Sequence, residues 1–180
     1  MKNISFKYLL PILFWAWQLQ AQTRSNVEIS GDIIQLSLPA LALGSTFIYP
    51  SDDKPYWQFA KTYILANAVS FGLKVSINET RPNGGNYSFP SGHTTSAFAG
   101  ASFLYLRYGW KIGIPAYLLA SYVGYTRIYA RKHYWWDVAA GATIGIGSAL
   151  LFVKPYQKHK IGFMLQKKAN YYTLGIAYRF

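Results

Sequence analysis

Ser88-Phe89-Pro90-Ser91-Gly92-His93-Thr94-Thr95 is the stretch on which the reading of this chain turns. Pro90 halts whatever precedes it, and Ser91 and Gly92 lead into a run of small and apolar residues that predicts a helix over Thr94 to Tyr108. Such a start points backbone N–H groups and the positive end of a helix dipole at one spot. That spot favours an anion, and His93 sits beside it. Working outward, two basic clusters, Lys74 to Arg81 and Arg127 to His133, lie at the ends of neighbouring apolar segments and are placed to reach the same spot.

The chain has 180 residues, one domain by length, and its 52% hydrophobic content is gathered into blocks with charges between them. The apolar runs are Ile33 to Tyr49, closed by Pro50, then Trp57 to Ile77, Thr94 to Tyr108, Ile112 to Tyr125 and Trp135 to Val153. They predict an all-α fold, a multi-span transmembrane helical bundle. Several runs are shorter than the roughly 20 residues of a full span, a deficit that tilt or partial burial makes up. Tryptophans and tyrosines cluster at the run ends, as in interfacial belts, and the third and fifth runs are rich in small residues that suit close helix contact. Lys61, near the start of its run, can snorkel; Lys74, near the end, needs a reason to be there.

The ends of the chain read differently. Lys2 and Lys7, the apolar stretch Tyr8 to Trp17 and then Ala21 make residues 1–21 a signal peptide or an N-terminal anchor. The helical domain then covers 22–158, with 22–32 as a short, polar, exposed lead-in open to a helical reading. Residues 159–180 alternate apolar and polar on either side of Lys167 to Asn170, which predicts a C-terminal β-hairpin tail. The net charge of +12 does not mark a nucleic-acid binder, because most cations fall in short connections and the tail rather than on one amphipathic face. Without cysteines the chain has no disulfide, thiol catalyst or thiolate metal site. Charge asymmetry orients the bundle: Lys54, Arg107, Lys111, Lys154, Lys158 and Lys160 fall on one side, the cytoplasmic one by the positive-inside rule. Lys74, Arg81, Arg127, Arg131 and Lys132 fall opposite, against that rule. The expected location is a bacterial inner membrane with the anion spot facing the periplasm.

Three clusters carry the chemistry: Lys74, six residues, then Arg81-Pro82; Pro90-Ser91-Gly92-His93; and Thr126-Arg127, five residues, His133, three more, then Asp137. Singly each has an ordinary reading, as interfacial cations, a turn into a helix, and an i, i+4 pair near a helix start. Arg131, Lys132 and His159 read as solvated or headgroup contacts, Trp135 and Trp136 as interface anchors, and Thr94 and Thr95 as first-turn residues. Together and in this order, the clusters resemble the tripartite signature of the type 2 phosphatidic acid phosphatase (PAP2) superfamily. That superfamily takes in bacterial lipid phosphatases, acid phosphatases and vanadium haloperoxidases. The resemblance spans roughly Ile33 to Val153 and departs from the usual pattern at Thr126, where the family has serine; the hydroxyl is kept.

A phosphate monoester carries nearly two negative charges, so a site that attacks it must spread that charge over fixed donors. Lys74, Arg81 and Arg127 supply three cations, and guanidinium forks suit phosphoryl oxygens. Ser91 and the Gly92 amide add neutral donors. His133 is the expected nucleophile, giving a phosphohistidine, with Asp137 fixing its tautomer. His93 is the expected general acid, which later activates water. No metal or other cofactor is expected, since Asp32, Asp52, Asp53 and Glu79 are scattered, and the resemblance implies the same metal-independent mechanism. In look the chain is most similar to small bacterial lipid A phosphatases, which implies a membrane lipid as substrate: lipid A, a phospholipid or a polyprenyl phosphate. Undecaprenyl pyrophosphate and phosphatidylglycerol phosphate phosphatases share the signature and are rivals. Two further readings are a non-catalytic lipid-binding protein, against which His133 and Asp137 both speak, and a vanadium haloperoxidase, whose relatives are larger and soluble. The sequence does not set the oligomeric state.

Overall fold

The computed structural model describes residues 25–49, 51, 53–156, 160–168 and 171–179. The expected leader over 1–21 and His159 lie outside the described residues. Among the described residues five helices follow one another up and down: α1 (Asn26–Ile48), α2 (Pro55–Ile77), α3 (Gly92–Tyr108), α4 (Trp110–Tyr129) and α5 (Trp135–Phe152). Two antiparallel strands, β1 (Lys160–Lys168) and β2 (Tyr171–Arg179), follow, with Phe163 opposite Ile176 and Leu165 opposite Leu174.

Local signals set these boundaries. Ser25 caps α1, its side chain accepting from the Glu28 amide, and the Glu28 carboxylate lies in the first turn where the helix dipole favours it. Pro55 opens α2 at a position where its missing N–H costs nothing. Between α3 and α4 the chain reverses at Gly109, whose φ of 85° suits glycine. From Asn26 onward the lead-in is the first two turns of α1, as its helical reading has it, with Glu28 and Gly31 buried rather than exposed.

The five helices are packed around α3, which touches all four others. This follows from the small faces of its run. Ala97, Ala99, Ala101, Ser102 and Phe103 have no exposed surface. On α5, a Cβ at Gly141 would lie 2.6 Å from the Ser91 carbonyl oxygen, and one at Gly145 would lie 2.7 Å from that of Thr95, so α5 and α3 meet at backbone distance. Polar pairs tie the helices further: Gln35 Nε2 donates to Ser96 Oγ at 3.1 Å, Tyr63 meets the same hydroxyl at 2.8 Å, and Ser102 pairs with Tyr117 at 2.9 Å.

The distribution of size is inside-out. The buried positions are mostly alanine, serine and threonine, whereas Phe47, Ile64, Phe71, Leu118 and Leu151 are each about two-thirds exposed. An exterior of this kind fits acyl chains rather than water. Two of the helices, α1 and α5, are long and apolar enough on their own to cross a membrane. Far from the α3 start, the chain is stapled by Arg107, whose side chain is fully buried. It holds the Asp53 carboxylate with two contacts of 3.0 Å and donates to the Lys154 carbonyl at 3.1 Å.

Candidate active site

The end of the bundle formed by the start of α1, the end of α2, the start of α3, the end of α4 and the start of α5 gathers all three sequence clusters. Ser91 is the N-cap of α3: its Oγ accepts from the Thr94 amide and from Thr94 Oγ1 at 3.0 Å, while its carbonyl accepts from Thr95. Thr94 and Thr95 are thus buried first-turn residues, as their positions predict. The Gly92 and His93 amides belong to the first turn and have no intrahelical acceptor to find. A Cβ placed on Gly92 would meet nothing within 4 Å, so space is open beside these donors.

Asp137 has no exposed surface. Its Oδ2 accepts from the Tyr134 amide at 2.9 Å, closing the cap of α5, and from Ser88 Oγ, and lies 3.3 Å from His133 Nδ1. The backbone adds another tie, with the Ser91 amide donating to the Asp137 carbonyl at 3.0 Å. The second and third clusters are therefore joined through one buried carboxylate residue. His133 follows the end of α4, its amide donating to the Arg127 carbonyl at 3.3 Å, and is 4% exposed. With Nδ1 turned to Asp137, Nε2 is the nitrogen left for chemistry. Burial first, then the charges of Lys74 and Arg81, push the His133 imidazole down to about 4, against the opposing pull of Asp137. The ring is neutral at physiological pH.

The cations are differently placed. Lys74 Nζ donates to the carbonyls of Tyr87 and Pro90, each at 2.8 Å, so the lysine late in α2 pins the loop that carries the second cluster. Arg81 has a buried Nε without a hydrogen-bond partner among the described residues, and its charge reaches both His93 and His133. Arg127 is almost wholly buried, with Nη2 donating to the Glu28 carbonyl at 2.9 Å and Nη1 lying 2.7 Å from Asp32 Oδ1. His93, with a side chain 41% exposed, has Nε2 at 3.3 Å from the same Asp32 oxygen. All eight residues of the expected site, those that would bind or attack phosphate together with His93 and Asp137, lie at this one end.

Three further participants carry no such signal in the motifs. Ser88 sits inside the quoted stretch, where nothing in its spacing assigns it a task. Glu28 pairs with Lys132, which is thereby an anchored residue rather than a solvated one. Asp32, one of the scattered acids in the sequence, touches His93 and Arg127 directly. The pattern Ser25-Asn26-Val27-Glu28 is the signal that could have found the two acids, because it has the form of a capping box and starts a helix with Glu28 and Asp32 on one face. Among the described residues no group of three or more metal-ligating side chains is present.

The model of the PAP2 superfamily matches residues 55–161. The chain is similar to a lipid A 4'-phosphatase of Helicobacter pylori, 27% identical over 94% of this chain and 96% of that protein. It is also similar to a lipid A 1-phosphatase of Porphyromonas gingivalis, at 34% identity over 56% of this chain, a match spanning 24% of that longer relative. Among solved structures, LpxE of Aquifex aeolicus superimposes with a TM-score of 0.57, 25% identity and coverage of 77% of this chain and 92% of the other.

Proposed function

This chain belongs to the PAP2 superfamily, and we propose that it hydrolyses a phosphate monoester of lipid A through a phosphohistidine on His133. The observation that carries the proposal is the buried His133–Asp137 pair, held by Ser88 and by the Ser91 backbone against the open, donor-rich start of α3. His133 Nε2 attacks phosphorus while Arg81, Arg127 and the α3 amides take up the negative charge. The bond from phosphorus to the lipid oxygen breaks, and His93 gives that oxygen a proton. His93, now neutral, takes a proton from water, whose oxygen displaces His133 to release inorganic phosphate. Lys74 acts mainly through the loop it pins, where it also donates to the Ser88 carbonyl at 3.5 Å, and lends its charge to the site. The apolar exterior supports a lipid substrate, and two lipid A phosphatases among its relatives support lipid A. The charge asymmetry of the chain supports a site on the periplasmic face of the inner membrane.

The test is phosphate release by the purified protein in detergent, with chelator present, from lipid A phosphorylated at either end, undecaprenyl pyrophosphate and phosphatidylglycerol phosphate. Release from lipid A, lost in His133→Ala, is expected. Release only from another of the lipids overturns the substrate, and release from none, with the helices intact by circular dichroism, overturns the enzyme.

A further inference from the structure

The start of α1 lies outside the family-matched stretch, which begins at residue 55, and it is nonetheless built into the site. Three residues make it so. Gly31 presses bare backbone against α4, where an added Cβ would strike Thr126 Oγ1 and come within 2.8 Å of Arg127 Nη2. The Glu28 carbonyl accepts from Arg127 Nη2, and the Glu28 carboxylate pairs with Lys132. One residue beyond Gly31, a single oxygen of Asp32 lies 2.7 Å from Arg127 Nη1 and 3.3 Å from His93 Nε2.

We propose that Asp32 is the positioning residue of His93, the counterpart on α1 of what Asp137 is to His133. The proposal rests on the phosphatase reading above. A general acid must present one ring nitrogen to the departing oxygen and keep the other occupied, or the ring turns and the proton is misplaced. Asp32 Oδ1 faces Nε2 at 3.3 Å as an ion pair rather than a hydrogen bond, which leaves Nδ1 for the substrate and sets a negative charge against the imidazolium. Arg127, fixed by the Glu28 carbonyl and Thr126, holds the carboxylate in place from the other side. The charged groups acting on His93 are Arg127 from α4, Asp32 from α1, Lys132 from the α4–α5 turn and Arg81 from the α2–α3 loop. Asp32 is the only anion among them, so within the described residues removing it leaves His93 facing cations alone. The acid and the nucleophile thus each have a carboxylate, drawn from different helices.

A double-mutant cycle on the full chain tests this, using the lipid whose hydrolysis the wild type catalyses. Asp32→Asn is expected to lower kcat about 10- to 100-fold, a share of the 10²–10⁴ a general acid supplies, with KM changed little. The alkaline limb of its kcat profile is expected to move to lower pH, because the imidazolium has lost its anion. In a His93→Ala background, Asp32→Asn is expected to cost about threefold or less, since the residue it served is gone. Asp32→Glu, which keeps the charge, is expected to restore part of the rate. Losses that multiply across the cycle, with an unmoved pH limb, would make Asp32 a mere counter-ion of Arg127 and overturn the proposal. Should Asp32→Asn fail to fold, the cycle is run with Asp32→Glu, and multiplying losses there overturn the proposal in the same way. An inactive wild type would instead sink the phosphatase reading.

Discussion

Asp137 Oδ2 serves a backbone amide, a hydroxyl and an imidazole from a position with no contact with solvent. Replacing it with asparagine keeps the shape but removes the charge that, in the proposed reaction, fixes the His133 tautomer and stabilises the forming phosphohistidine. Asp137→Asn is expected to cost about 10²- to 10⁴-fold in kcat, read in the lipid assay with the protein's melting temperature as control. Ser88→Ala removes one of three partners and leaves Oδ2 held, so a milder loss of about 10-fold is expected, equal to one hydrogen bond of ~1.4 kcal/mol. The pH dependence follows from His133. A histidine of ordinary pKa would be mostly protonated at pH 5.5 and inactive as a nucleophile. With its value held at about 4, the neutral form persists on acidification, and protonation sets in only as pH falls through that value. After correction for the substrate's own ionisation, kcat/KM is expected to hold to near pH 4.5 and drop below it. A loss centred near pH 6.5 would contradict the described environment of the ring.

At the level of elements, the sequence was most legible where residue chemistry and helix boundary coincide. Ser91 and Gly92 start a helix, Asp137 caps another, and their motif spacing is compact enough to be read along the chain. The start of α1 was harder because Glu28, Gly31 and Asp32 find their partners about a hundred or sixty residues away, and no local pattern announces such a contact. Hydropathy also pulled the helix start toward Ile33, since it registers the apolar run and not the polar turns before it. The α3–α5 contact gives a test at this scale. Gly145→Leu is expected to cost about 1–3 kcal/mol or more, because the Thr95 carbonyl and the Ala99 amide are backbone and cannot step aside. Thermal unfolding in detergent would show it. At the far end Arg107→Ala strands Asp53 and frees the Lys154 carbonyl, with an expected loss of about 3 kcal/mol. The activity of the molecules that stay folded is expected to change little, since α3 separates Arg107 from the site by roughly 25 Å.

For the whole molecule, the bundle class, the order of helices and the side on which the cations gather were all legible, because each is written in blocks of composition. The packing was not, since alanine and serine in a sequence do not say which backbone they will touch. Orientation in the membrane can be checked without background, because the chain has no cysteine. Asn83→Cys, in the exposed α2–α3 loop, is expected to react with an impermeant maleimide added outside spheroplasts, and Lys111→Cys only after the membrane is opened. The reverse pattern would turn the site to the cytoplasm.

The inside-out distribution of side chains has a thermodynamic consequence. Water is already absent from the outside of the helices when they meet, so their association withdraws little apolar surface from it. Parting them within a bilayer should therefore carry a small heat-capacity change and a shallow dependence on urea, both of which scale with surface newly wetted. The stability of this bundle is set by how closely its backbones touch, and a temperature or solute that acts by altering hydration finds little in it to act upon.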